Sequence, residues 1–392
     1  MGDISRWYKV ANSLKWMPSA AWRLWTAPRP KGLAHVMIAL ADHFEPSIVH
    51  VSGKFASYSE QQQRMNRWCE EYPKLVDPFR DSDGHAFKHT YFYPAEQYDH
   101  AMVGQLAEHC HEGWGEIDLH LHHGVDRPDT SAGTRRAIVD FRDALVEKHG
   151  CLSRLDGVGE PRYAFVHGNF ALANSGNGCC GVDDEMQILA DTGCYADFTL
   201  PSAPNPAQTP KTNAIYECGL PLQERAPHRS GRDLELGRRP EIFPLIFQGP
   251  LMLARRENES AAIYIENSSI SDRTPPTMRR SRLWRKAGIC VKGRPEWVFV
   301  KLHCHGMDPN DLASMLGEPI RRFLRELTAH AKEENGYLVH FVTAREMTNI
   351  ALAACDGRQG NPGEYRDYRF RLITKPRTGT PPVSASEARI AG

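Results

Sequence analysis

From residue 33 onward, short apolar runs alternate with longer segments whose apolar residues recur every three or four positions. The runs 35–41 (HVMIALA), 116–122, 163–167, 195–200, 261–265, 297–303 and 338–342 read as strands. Between them, 57–74, 96–111, 131–149, 182–192 and 311–332 read as helices, the second on the stripe Met102, Val103, Leu106 and Ala107. Thr130 is placed to cap 131–149, Gly150 to close it, and Gly193 to end 182–192. Strand and helix alternate over most of the chain, which predicts an α/β fold with a mainly parallel sheet, open or closed into a barrel. In either case the site belongs at the carboxyl ends of the strands. Three polar clusters fall at such ends: Asp42-His43, His120–His123 and His303–His305.

The stretch 201–259 is rich in Pro and Arg without clear period and is expected to be a long loop excursion. The organisation expected is an N-terminal arm (1–32), one barrel-like catalytic domain (33–373) and a disordered Pro/Ser/Thr-rich tail (374–392). Lys+Arg and Asp+Glu balance at 48 each, so nothing marks a nucleic-acid binder. Ten cysteines without a CxxC spacing, Cys179-Cys180 adjacent among them, suggest reduced structural thiols in a cytoplasmic protein, not a disulfide scaffold or a cysteine zinc site. The arm interleaves Trp7, Trp16, Trp22 and Trp25 with basic residues. Two readings fit: aromatics packed on the domain, or a helix touching a membrane surface.

The segment EIDLHLHHG carries the chemistry. Side chains alternate along a strand, so Asp118, His120 and His122 share one face. Two imidazoles two residues apart can converge on one metal ion, whereas three histidines in four positions are hard to explain as packing. His123, before Gly124, stands where the strand turns into a loop and is an alternate ligand. The strand at 35–41 ends in Asp42, His43 and Glu45. Asp and His are suitable ligands for a divalent ion, and a carboxylate beside a metal-bound water can act as general base. WVFVKLHCHG ends a third strand with Phe299, Lys301, His303 and His305 on a common face, and a histidine there can protonate a leaving group.

These segments, in this order, resemble the polysaccharide deacetylase (NodB-homology, carbohydrate esterase family 4) superfamily. The resemblance rests on LADHF (40–44), EIDLHLHHG (116–124), FVHGNFALANS (165–175), DFTLPSA (197–203) and VKLHCH (300–305), and spans roughly residues 33–345. The stretch 163–209 also resembles a divergent subgroup associated with exopolysaccharide gene clusters. It implies a distorted (β/α) barrel of about seven strands. It implies one divalent ion, zinc foremost, and hydrolysis of an acetyl group from a sugar amide or ester. Carried over residue by residue, Asp42 stands as base with His43 in place of a carboxylate ligand. In a register shifted by one, Asp42 is the ligand and Ala41 occupies the base position. His120 pairs with His122, or with His123, because Gly124 holds the family's usual second histidine position. Asp197 supports the catalytic machinery and His303 protonates the leaving amine. Val166 or His167 replaces the family's Arg. His167, Asn169 and His305 are the candidates for substrate contact.

The expected function is thus a metal-dependent, deacetylase-like hydrolase of an acylated saccharide or its precursor, cytoplasmic and with or without membrane contact. Two alternatives stand beside it: an amidohydrolase or PHP-type phosphoesterase, and a catalytically degenerate barrel that binds a glycan or a biosynthetic partner. Asp183, Asp184 and Glu185 suit a helix N-terminus, and the basic run Arg273–Lys286 suits a solvated loop.

Overall fold

The computed structural model describes residues 2–49, 54–124, 127–176, 180–256 and 262–373, with side chains from residue 12 onward. The expected tail, the Trp7 side chain and Cys179 lie outside the described residues.

The strands are β1 (Ala34–His43), β2 (His89–Pro94), β3 (Gly115–Leu121), β4 (Ser153–Leu155), β5 (Val158–His167), β6 (Cys194–Asp197), β7 (Ala214–Cys218), β8 (Gly231–Asp233), β9 (Leu245–Gln248), β10 (Met252–Arg255), β11 (Ile263–Glu266), β12 (Trp297–Cys304), β13 (Tyr337–Val342) and β14 (Phe370–Leu372). The helices are α1 (Gly2–Thr26), α2 (Tyr58–Val76), α3 (His100–His109), α4 (Ser131–His149), α5 (Glu185–Thr192), α6 (Met278–Lys286), α7 (Leu312–Leu316), α8 (Glu318–His330) and α9 (Ala344–Cys355). Local chemistry sets their ends. Ser57, Asp99 and Thr130 accept backbone N–H groups at the starts of α2, α3 and α4. Gly150 and Gly193 close α4 and α5 in the left-handed conformation, at φ 64° and 102°. Thr343 and Glu346 form a reciprocal capping box on α9.

Twelve strands form one sheet in the order β12-β1-β2-β3-β5-β6-β9-β7-β8, with β13 on β1, β4 on β5 and β14 on β4. Pairing from β12 through β9, and of β13 with β1, is parallel. The α/β class with a largely parallel sheet thus holds, but the strands outnumber the seven expected. The stretch 201–259 accounts for much of the difference. It is not a loop: β9 extends the sheet parallel to β6, β7 and β8 continue it antiparallel, and β10 pairs with β11 in a separate hairpin. These strands are three to five residues long and carry Pro at their borders, so they show no resolvable period. The expected helix 311–332 is divided at Gly317, where a Cβ would stand 2.3 Å from the Ala313 carbonyl oxygen.

β1 is the hub. One edge pairs with β12, and the other with β13 at its start and β2 at its end. Its two faces feed different cores. Val36, Ile38 and Leu40 pack with Trp68, Tyr72 and the helix side chains, while Met37, Ala39 and Ala41 pack with Phe92, Val166, Phe198 and Phe299 on the inner side. The sheet is strongly curled. Lys301 of β12 donates to the Phe198 carbonyl just beyond β6 at 2.8 Å, although five strand spacings in a flat sheet would separate them by about 24 Å.

The N-terminal arm is the helix α1. Trp16 is buried with Ala20, Ala203 and Leu251, whereas Trp22 and Trp25 are 60% and 80% exposed. Among the described residues no helix is long and apolar enough to cross a membrane. Trp16→Ala is expected to cost about 3–5 kcal/mol by leaving a cavity, and Trp22→Ser to stay within about 0.5 kcal/mol. Urea unfolding of the two variants measures both.

Candidate metal centre

Strand parity assembles the site and removes one expected member from it. His43 continues the inner face of β1, His120 the inner face of β3, and Lys301 and His303 that of β12. Asp42 continues the outer face. Its carboxylate accepts from His89 Nδ1 at 2.9 Å and from the Gly306 backbone N–H at 2.7 Å, beside Cys304. The base or ligand expected at Asp42 is therefore turned away from the histidines, toward Trp68 and Tyr91. Its place in the structure is to hold the turn that follows His305.

Five imidazoles and one carboxylate meet on the inner side. The rings of His43 and His120 lie 4.9 Å apart, those of His43 and His305 4.7 Å, His43 and His303 6.5 Å, and His120 and His122 4.6 Å. Glu45 lies between them, with Oε1 3.4 Å from His120 Nε2 and 3.8 Å from His122 Nε2. It follows His43 by two positions, so it shares that face by the same parity that joins His120 to His122. The HxE spacing in DHFE was the signal, and reading DH as the motif passed over it.

The hydrogen atoms decide what this arrangement can hold. His120 Nδ1 lies 2.9 Å from the Val166 carbonyl, which can only accept, so Nδ1 carries the proton. His122 Nδ1 donates to Glu96 at 2.6 Å, and the His122 backbone N–H reaches the same carboxylate. Nε2 of each ring faces Glu45. Burial opposes charge on His122, but its hydrogen bond to Glu96 and the nearby Glu45 carboxylate raise its pKa. His120 Nε2, His43 Nδ1 and His303 Nδ1 are buried without a hydrogen-bond partner. Burial, then the neighbouring imidazoles and Lys301, pushes His43 well below its ordinary range. Burial does the same to His303. Burial also lowers His120, against the pull of Glu45. Burial alone would raise Glu45, but the surrounding imidazoles draw it down to about 2. Imidazole nitrogens facing an ionised carboxylate are a donor set that suits a divalent cation, and the carbonyl and carboxylate behind the rings orient them for it.

His123 does not join this group. It donates toward Asp129 and Glu185, at 3.0 Å each, and with buried Glu185 and His167 makes a neighbouring cluster. Burial opposes its charge, but those carboxylates raise its pKa. His167 Nδ1 accepts the Asn169 N–H at 3.2 Å, so its Nε2 bears the proton and aims at Glu185, 3.8 Å away. Within the cluster His123 and Glu185 are hydrogen-bonded, while His167 Nε2 is buried without a hydrogen-bond partner. Asp197 lies behind it, accepting from the Thr199 hydroxyl, which itself accepts the His167 N–H. Burial raises Asp197 to about 7. Asn169 is half-buried, with its side-chain amide nitrogen unpartnered.

Two further groups have ligand character. Asp42, His89 and Cys304 form one, but burial and Asp42 push the Cys304 thiol well up, leaving it protonated. Asp81, Asp83 and His340 form the other, and Arg366 already supplies its positive charge at 3.0 and 3.1 Å.

The loop after β5 closes over the histidines. Phe170, at φ 58°, brings its ring within 5.9 Å of His43, and Ala173 and Asn174 also adopt positive φ, backbone strain of a kind concentrated at functional sites. Gly168 is required by close approach, since a Cβ there would stand 2.2 Å from the His122 ring. Gly168→Ala is expected to displace His122 and weaken zinc binding about ten- to a hundredfold in chelator competition. Gly32→Ala, with open space around its Cβ, should leave it unchanged. Equal affinities in the two variants would contradict the placement of His122.

No protein-family model matches the chain, and no curated protein matches it either.

Proposed function

We propose that this chain is a zinc-dependent hydrolase of the deacetylase type, acting on an N- or O-acetylated saccharide or polysaccharide precursor. The observation that carries the reading is the convergence of imidazole nitrogens, His120 Nε2 among them buried without a partner, on ionised Glu45 at the carboxyl ends of parallel strands. We take the curled sheet to be a distorted (β/α) barrel, on the strength of the Lys301 contact across it.

In this reading His120, His122 and Glu45 hold the ion, with His43 beside them, and Glu45 supplies the carboxylate expected from Asp42. A bound divalent ion polarises the acetyl carbonyl and lowers the pKa of water. The chain's own groups do the rest. Val166 and Glu96 fix the two ring orientations and raise the basicity of Nε2. His303, kept neutral by burial, has a free Nδ1 to take or return a proton. Asp197 acts at a distance, positioning His167 through Thr199. The exposed Glu96 and the half-buried His122 and His305 mark the open side, where an acetylated sugar would enter beside Asn169.

A glycan-binding barrel without turnover is the second reading, favoured by one observation: Asp42, the expected base, is turned toward the helices. Acetate release from acetylated saccharides by the zinc-loaded protein separates the two. The enzyme reading expects release that chelation abolishes and that His120→Ala lowers by at least about 100-fold. Metal bound without turnover would favour the binding module. Phosphate released from phosphoesters in place of acetate would redirect the substrate class.

A further inference from the structure

The centre offers more donors than one ion can use, and they are arranged in two sets. Glu45, His120 and His122 form one set with ligand atoms within 4.8 Å of one another, and His43, Glu45 and His305 form a second by the same measure. The five do not merge into one group at that separation. A single ion with bonds of about 2.1 Å needs all of its donors within about 4.2 Å of one another. One ion therefore cannot serve both sets as they stand.

We infer that the site binds two divalent cations that share the Glu45 carboxylate, one on His120 and His122 and the other on His43 and His305. Each set is two imidazoles and one carboxylate, a donor chemistry suited to zinc, manganese or cobalt. Each also contains a buried nitrogen with no partner: His120 Nε2 in the first, at 0% exposure, and His43 Nδ1 in the second, at 1%. Glu45 can serve both because a carboxylate has two oxygens, each with lone pairs to share. It is 8% exposed, and among the described ion pairs its partners are His120 and His122, with no Lys or Arg. The strands supply the two sets separately. His120 and His122 come from the end of β3, and His305 from the turn after β12, with β1 between these two in contributing both His43 and Glu45. Asp42 steadies the second set from the far side of β1, through its bond to the Gly306 N–H.

This inference rests on the metal-binding part of the proposed function and not on the substrate. Its test is stoichiometry and magnetic coupling in the full-length chain. The protein is stripped with chelator, titrated with Mn(II), and followed by equilibrium dialysis with elemental analysis and by electron paramagnetic resonance. The expected result is two ions per chain at saturation and an exchange-coupled signal. His305→Ala, at a half-buried position that tolerates truncation, should lower the affinity for one ion by at least about 100-fold while the other still binds with an uncoupled signal. Glu45→Gln should abolish the coupling, and circular dichroism confirms that each variant is folded. Saturation at one ion, unchanged by His305→Ala, would overturn the shared-carboxylate site and leave a mononuclear hydrolase standing. Two coupled ions without acetate release would do the reverse, sparing this inference and removing the proposed activity.

Discussion

Two imidazole nitrogens and an ionised carboxylate crowd one another inside this protein. His120 and His122 have each committed a proton to the opposite side of the ring, to Val166 and to Glu96, and turn their remaining nitrogens on Glu45 at 3.4 and 3.8 Å. In a dry interior such a grouping repels unless positive charge lies between its members. Burial holds His43, His120 and His303 on the neutral side, whereas Glu96 and Glu45 favour a proton on His122. A divalent cation satisfies all of them at once. The rest of the structure can be understood as the scaffold that keeps these groups together: three parallel strands ending at one level, a curled sheet that brings β12 toward β3, and a strained loop lying over His43.

The scaffold works by the two-residue period of the strand. On β1 that period divides two adjacent polar residues between two environments. His43 enters the candidate metal centre, and Asp42 enters a cage of Trp68, His89 and Tyr91, where it holds the turn bearing His305 in place. On β12 the same rule puts Cys304 with Asp42 and His303 with His43. The outer face therefore positions, and the inner face presents donors. Asp197 and Thr199 do similar work for His167, one layer below.

This period also explains what could be read in advance. The helix 131–149, between Thr130 and Gly150, was legible to the residue, whereas α9 was not read in advance despite its capping box. The strands with continuous apolar runs were legible to within a few residues, and so was the approach of His120 to His122. The strands in 201–259 were not, because three to five residues between prolines leave no period to detect and their pairing is set by distant partners. At the site, Asp42 was misplaced because adjacency to His43 outweighed parity. Glu45 was passed over although parity marks it. Glu96 and Glu185 had no local signal, since each reaches the histidines from an element far away in the chain.

The central claim is that a cation lies among imidazoles and Glu45 on the inner face of the sheet. X-ray absorption at the zinc edge of the zinc-loaded, full-length protein tests it most directly. The account predicts a first shell of nitrogen and oxygen only, at about 2.0–2.1 Å, with the outer-shell pattern of at least two imidazoles. A sulfur scatterer at about 2.3 Å would contradict it by moving the ion to Cys304, with Asp42 and His89 on the outer face.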